Sequence, residues 1–226
     1  LGADDHRLRL LGSSQVPDTV HIRISLWGGF FFGNICDIYD RFIREQIQSF
    51  HKSRFFIVKI HGSGVISFSE PLIYPVEKID YYDLEDYQVK ENILYILEVK
   101  KDDVKYEYLI NRKTDNDKLI VFNNGAVASE NVKVPIFQRH SWANILKTSS
   151  VFCMDPTLYI NDLAVGWGVG KNEDYYLENS SLILKTIIQK MNINLNDTVI
   201  YGTSAGGFLS IIMGIYLKGA KVVADN

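Results

Sequence analysis

The sequence predicts an α/β protein, in which a mostly parallel sheet follows an accessory α+β or β-rich region. Short apolar runs without polar alternation alternate with helical periodicity after residue 117, which is typical of a parallel sheet covered on both faces. Before residue 117, short strands and one helix lead to a hairpin pattern. We therefore expect an accessory region at 1–117 and an α/β core at 118–226.

In the first region, two strands flank an amphipathic helix. Residues 21–27 alternate like a strand, 34–50 repeat apolar side chains at three- and four-residue steps, and 55–60 are an apolar strand. Residues 93–99 and 104–110 then predict a hairpin, whose turn is supplied by the four charged residues between them.

In the second region, four apolar strands alternate with helices. The strands are expected at 119–122, 150–154, 198–201 and 221–224. Helices are expected at 182–191 and 208–217, and Gly219 is a typical stop signal for the second of them. Because these strands lack a polar face, we expect them to be buried on both sides.

Composition excludes several classes of protein. The 226 residues are 46% hydrophobic and 23% charged, as in soluble globular proteins. A net charge of −3 provides no general attraction for nucleic acid, and no apolar run reaches the roughly 18 residues of a membrane helix. Cys36 and Cys153 lack metal-ligand spacing and are expected as buried free thiols, which favours the reducing cytoplasm. We expect no nucleic-acid partner and no integral membrane segment.

The segment most informative about chemistry is 202–207, which reads GTSAGG. It matches G-x-S-x-G, and it lies directly between a predicted strand and a predicted helix, as that motif requires. Flanking glycines permit a tight turn that exposes the hydroxyl of Ser204, and the following helix N-terminus suits an oxyanion. The sequence thus predicts a nucleophile at Ser204; the alternative is a tight turn with a bystander serine.

With this motif, residues 118–226 resemble the α/β-hydrolase superfamily. Segments 201–208, 155–158 and 166–170 are similar to proteins of bacterial capsule and cell-wall polysaccharide synthesis, including serine-dependent polysaccharide O-acetyltransferases. The resemblance implies an acyl-enzyme on Ser204 and acyl transfer to water or to a sugar hydroxyl, with no cofactor and no metal.

The resemblance also implies two backbone donors for an oxyanion. Ala205, directly after the nucleophile, is expected to supply the first N–H group. The second is expected from the loop after an earlier strand, with Asn124 and Gly125 as candidates. A second candidate loop, 61–64, reads HGSG, but a glycine turn between two strands is the preferred interpretation there.

The acid and the histidine of a triad do not map onto the expected order. In this superfamily both follow the serine, whereas all five histidines here precede Ser204. Either the core is incomplete and its triad partners lie beyond Asn226, or an upstream histidine serves. His140 is the best upstream candidate, as a base or, preferably, as a binding or structural residue. Asp225 ends the last strand and is interpreted as a turn residue.

These observations predict a serine-dependent esterase or O-acyltransferase that acts on an acylated carbohydrate or cell-surface polysaccharide. Its partner would be a small acyl donor or an acylated glycan. Trp142 and Trp167 could stack on a sugar, although packing is the preferred interpretation. The alternative function is a non-catalytic scaffold or binding protein in a polysaccharide-synthesis or secretion assembly. The oligomeric state stays open.

Overall fold

A computed structural model describes residues 74–127, 134–160, 163–171 and 174–225. These residues form an α/β architecture with seven strands in one sheet and two α-helices. The strands are β1 (Val76–Asp80), β2 (Leu94–Lys101), β3 (Val104–Asn111), β4 (Leu119–Asn123), β5 (Ser149–Cys153), β6 (Thr198–Thr203) and β7 (Lys221–Asp225). The helices are α1 (Tyr176–Lys190) and α2 (Ala205–Tyr216). The elements predicted at 21–27, 34–50 and 55–60, together with Cys36 and the 61–64 loop, lie outside the described residues.

The sheet is mostly parallel, in the order β1-β2-β3-β5-β4-β6-β7. Only β3 runs against its neighbours, because it returns from β2 through a tight turn at residues 102–103. The predicted hairpin is therefore confirmed. Strands from both sides of residue 117 share this one sheet, since β3 pairs with β5. The division into an accessory region at 1–117 and a core at 118–226 stays a prediction.

The four strands predicted for the second region are confirmed and run parallel. β4 lies between β5 and β6, with Phe122 opposite Phe152 on one side and Tyr201 on the other. The Phe122 and Phe152 rings stack 4.8 Å apart. Every residue of β5 is buried, which explains the absence of a polar face in its sequence.

Each face of the sheet has its own cover. Successive residues of a strand point to opposite faces, so the side chains of Phe122 and Asn123 in β4 lie on opposite faces of the sheet. Asn123 contacts Ser210 of α2, and α2 also packs on α1. Phe122 instead joins an apolar cluster with residues of the 134–146 segment, including Phe137 and Ala143. The helices thus pack on one face, and the 134–146 segment packs on the other.

Burial also accounts for the cysteine of this region. Cys153 ends β5, is buried and is a free thiol, as predicted. Burial raises the pKa of this thiol, so the residue is a packing element and a poor nucleophile. Within the described ranges, no helix combines the length and the apolar character needed to cross a bilayer.

Candidate active site

The carboxyl end of β6 turns sharply into α2 at Ser204. β6 ends at Thr203 and α2 begins at Ala205, so a single residue makes the turn. The backbone of Ser204 has φ 53° and ψ −124°, a conformation that L-residues avoid. Its side chain is exposed. This strained strand-to-helix turn with an exposed hydroxyl is the geometry of a nucleophile elbow.

Two glycines are required by close packing around the turn. A Cβ on Gly202 would lie 2.0 Å from the carbonyl oxygen of Gly206, inside the first turn of α2. A Cβ on Gly206 would lie 2.7 Å from the carbonyl oxygen of Asn123, at the end of β4. The glycines therefore let β6, α2 and β4 approach one another closely below Ser204.

Backbone hydrogen bonds hold the elbow on both sides. The Ser204 N–H donates to the carbonyl oxygen of Asp225 at 2.9 Å, which attaches the turn to the end of β7. The Ser204 carbonyl accepts from Gly207 N–H at 2.9 Å and from Phe208 N–H at 3.3 Å, which starts α2. The Ala205 N–H lies in the first turn of α2, where amides have no carbonyl partner within the helix. Ala205 therefore begins the helix directly after Ser204, and its role as the first oxyanion donor stays a prediction.

The second expected donor loop lies beside the elbow. Asn124 and Gly125 follow β4, which is the direct neighbour of β6. A Cβ on Gly125 would lie 3.1 Å from the carbonyl oxygen of Thr203, so the loop and the elbow are in near contact. However, the Gly125 N–H donates to the Gln138 side-chain oxygen Oε1 at 2.8 Å. The candidate second donor is therefore engaged in this structure.

Gln138 attaches itself to this loop at three points, and sequence reasoning missed it. Besides accepting from Gly125, its Nε2 donates to the carbonyl oxygen of Ala126 at 3.1 Å. Its backbone N–H donates to the Asn124 side-chain oxygen at 2.8 Å. The Asn124 side-chain nitrogen donates in turn to the Ile136 carbonyl oxygen. The side chain of the buried Asn124 is thus engaged in holding the loop, so only the backbone of Asn124 is available for a role in catalysis.

His140 lies on the connection that covers the Phe122 face. Its Nδ1 is 2.8 Å from the hydroxyl oxygen of Tyr74, and the two rings meet edge to face at 5.9 Å. Partial burial lowers the pKa of the imidazole, so the ring is neutral at physiological pH. The contact with Tyr74 is compatible with the binding or structural role that the sequence favours.

Arg139 is a further residue that sequence reasoning missed. Its Nη2 donates to the hydroxyl oxygen of Thr203 at 2.8 Å, one residue before Ser204. Its guanidinium lies 5.3 Å from the ring centre of Tyr201 and 5.8 Å from that of Trp142. No local signal marks this arginine, because its contact with Thr203 joins residues 64 positions apart.

The loop after β5 brings an aromatic side chain to the elbow. The buried carboxylate of Asp155 accepts from the N–H groups of Thr157 and Gly168, each at 2.9 Å. These bonds hold the glycine-rich loop, in which Trp167 meets Phe208 edge to face at 5.4 Å. Phe208 lies one helical turn after Ser204, so Trp167 borders the elbow and packs there, the interpretation that the sequence favours for this residue.

Asp225, which the sequence predicts at the end of the last strand, is the final residue of β7 beside the elbow. It pairs opposite Thr203 in the sheet and is buried, and its Oδ1 has no hydrogen-bond partner among the described residues. Over the same residues, no group of three or more His, Cys, Asp or Glu side chains is arranged to hold a metal ion.

Comparison with known proteins yields structural neighbours only. No protein-family model and no curated protein match the sequence. The capsule O-acetyltransferase of Neisseria meningitidis serogroup A is a solved structure similar to this chain, with 20% identity, a TM-score of 0.45, and coverage of 62% of this chain and 54% of that one. An arylesterase is similar at 13% identity with a TM-score of 0.38, covering 63% and 47%. Esterase EstE5 is similar at 14% identity with a TM-score of 0.32, covering 58% and 42%. The chain thus spans about half the length of these structures.

Proposed function

We propose that the chain is a serine-dependent esterase or O-acyltransferase that forms an acyl-enzyme on Ser204. The observation that carries the proposal is the backbone of this exposed serine, at φ 53° and ψ −124° between β6 and α2. A backbone conformation of this kind costs on the order of 1–3 kcal/mol and persists where the surrounding structure enforces it. Such strain is typical of functional turns, whereas a bystander serine has no need of it.

The proposed reaction begins with attack of Ser204 Oγ on the carbonyl carbon of an ester. The serine proton leaves to a base, and the negative charge that develops on the carbonyl oxygen is met by the Ala205 N–H and the N-terminus of α2. Collapse of this intermediate expels the alcohol and leaves an acyl-serine. Water or a sugar hydroxyl then attacks the acyl carbon, which releases Ser204 and yields a free acid or a new ester.

The second half of the oxyanion hole is proposed at Gly125. Its N–H would have to exchange the Gln138 oxygen for the substrate oxyanion, since the two compete for one donor. The loop is adjacent to Thr203, and the exchange requires the Gln138 side chain to rotate away from the Gly125 amide. His140 is assigned to substrate binding or support, because its Nδ1 already contacts the Tyr74 hydroxyl.

An acylated carbohydrate or cell-surface polysaccharide is the proposed substrate class. Trp167 supports it, because this half-buried aromatic residue borders the elbow through Phe208. Aromatic rings present apolar faces that suit the apolar faces of sugars. A small acyl donor such as an activated ester would serve the transferase version of the reaction.

The test is hydrolysis of p-nitrophenyl acetate by the full-length protein. We expect a burst of p-nitrophenol as the acetyl-enzyme accumulates, and a loss of at least about 1,000-fold in kcat in Ser204→Ala. Ser141→Ala is the matched control, because Ser141 is an exposed serine that lies in the 3₁₀ turn His140–Asn144 and not at the junction of β6 and α2. Equal activity of Ser204→Ala and the control would contradict the proposal.

One observation favours a non-catalytic scaffold or binding protein as the second candidate. Gln138 occupies the Gly125 N–H, so the loop as described offers no free second donor at that amide. A scaffold would keep this bond permanently. If the folded full-length protein shows no hydrolysis of activated esters and no burst, the scaffold function is favoured.

A further inference from the structure

Arg139 places a positive charge beside the proposed nucleophile. Thr203 accepts a hydrogen bond from Arg139 Nη2 at 2.8 Å, and it is the residue directly before Ser204 in the chain. Arg139 as a whole is half-buried, so part of the residue is open to solvent beside the elbow. The guanidinium therefore lies within the reach of substituents close to the reacting ester.

The guanidinium is held in a fixed orientation. Thr203 fixes one nitrogen, and the rings of Tyr201 and Trp142 flank the group at 5.3 Å and 5.8 Å. The backbone of Arg139 has φ 65° and ψ 13°, the left-handed region that a non-glycine residue rarely adopts. A cation that is already oriented loses little further side-chain entropy when it binds a ligand.

This cation has no acidic partner within the described part of the chain. No carboxylate there forms a salt bridge with it, and its Nη1 is buried without a hydrogen-bond acceptor. A buried donor without an acceptor destabilises the folded protein, and the effect is larger when the group is charged. An anionic acceptor from a ligand would offset this effect.

We propose that Arg139 binds an anionic oxygen group of the substrate, a carboxylate or a phosphate, next to the ester that Ser204 attacks. Guanidinium groups pair with both through parallel N–H···O bonds. The inference rests on the proposed function for the reacting ester, but anion binding itself requires no catalysis. The anion belongs either to the acyl donor or to the alcohol that leaves.

Binding is tested first, separately from catalysis. Inorganic phosphate is titrated calorimetrically into the full-length Ser204→Ala protein and into the same protein carrying Arg139→Gln or Arg139→Lys. We expect Arg139→Gln to weaken binding by at least about tenfold, and Arg139→Lys to bind with intermediate strength. Ser141→Ala in the same background is the control, because it changes an exposed neighbour of Arg139 and leaves the contact between Arg139 and Thr203 intact; its phosphate affinity should be unchanged. Equal phosphate affinity with and without Arg139, in variants that unfold at the same temperature, would overturn the proposal.

Kinetics then identify the side of the ester that carries the anion. Mono-p-nitrophenyl glutarate has a carboxylate on the acyl side, 4-acetoxybenzoate has one on the leaving group, and p-nitrophenyl acetate has none. We expect Arg139→Gln to lower the kcat/KM ratio of one anionic ester to the neutral ester by at least about tenfold. Unchanged ratios for both anionic esters would overturn a role in substrate recognition. Absence of hydrolysis of all three esters would contradict the proposed function, while the phosphate titration would still decide anion binding.

Discussion

The amide of Ser204 donates a hydrogen bond to the carbonyl oxygen of Asp225 at 2.9 Å. This bond continues the pairing of β6 with β7 by one residue beyond Thr203. It holds the strained turn against the sheet, so that the conformation of Ser204 does not depend on the short helix alone. The positive φ of Ser204 is therefore a property of the folded sheet, and its cost can be measured.

The first prediction concerns that strain. Glycine adopts positive φ without a steric penalty, so Ser204→Gly should be more stable than Ser204→Ala by about 1 kcal/mol. Urea unfolding of the two variants measures the difference. Ser141 provides the matched control, because it lies in a 3₁₀ turn at ordinary φ, where glycine should be the less stable of the two. The same order at both positions would contradict a strained elbow.

The second prediction concerns the close approach of β6 and α2. A Cβ on Gly202 would lie 2.0 Å from a backbone oxygen, so Gly202→Ala should lower the free energy of unfolding by about 3 kcal/mol or more. Gly207→Ala is the control, because its Cβ would lie 3.3 Å from the nearest atoms and helix propensity favours alanine. We expect a change below about 1 kcal/mol for the control. Similar losses for both variants would show that the described packing at Gly202 is wrong.

The third prediction concerns Glu107, which is buried on β3. The Tyr159 hydroxyl donates to its carboxylate and Lys105 Nζ lies 3.7 Å away, yet burial raises its pKa above the ordinary 4.5. The folded state therefore holds this proton more tightly than the unfolded state. The associated stability is fully present below the ordinary pKa and is lost as pH rises through the folded pKa.

Glu107→Gln removes this titration. Relative to the parent protein, the variant should gain stability as pH rises above about 4.5, measured by urea unfolding across pH 4 to 8. Glu85→Gln is the control, since the Glu85 carboxylate is exposed and its pairing with Lys190 is a surface contact. A stability difference between Glu107→Gln and the parent that stays constant with pH would contradict the prediction.

The fourth prediction separates the two roles considered for His140. If His140 is a binding or supporting residue, His140→Gln should lower kcat for p-nitrophenyl acetate by less than about tenfold. Tyr74→Phe, which removes the hydroxyl that contacts Nδ1, should have a similar effect. A loss in kcat above about 100-fold in His140→Gln alone would instead identify His140 as the general base.

The buried strands of the sheet were predictable because burial on both faces demands apolar side chains. β1 was not predicted, since Val76–Asp80 is an edge strand in which three of the five residues are charged. α1 begins at Tyr176, whereas the predicted start was 182. Its first turns were missed because Ser180 and Ser181 are buried there, at positions where the sequence pattern expects apolar residues. The side-chain oxygen of the buried Ser180 lies 3.1 Å from the Tyr108 hydroxyl oxygen, within hydrogen-bond distance.

The candidate site divides in the same way. Ser204 was predictable because the elbow is local, with its glycines within two residues of the serine. Gln138 and Arg139 were not, because each acts through contacts with loops or strands distant in sequence. Their polar side chains follow no period that a sequence pattern could reveal.

The central claim is that Ser204 is a nucleophile, and covalent labelling tests it most directly. The folded full-length protein is treated with a fluorophosphonate probe, digested and examined by mass spectrometry, with Ser204→Ala and Ser141→Ala proteins in parallel. We predict a phosphonyl adduct on the peptide that contains Ser204, unchanged in Ser141→Ala and absent from Ser204→Ala. A folded protein that carries no adduct on Ser204 under saturating probe would contradict the claim.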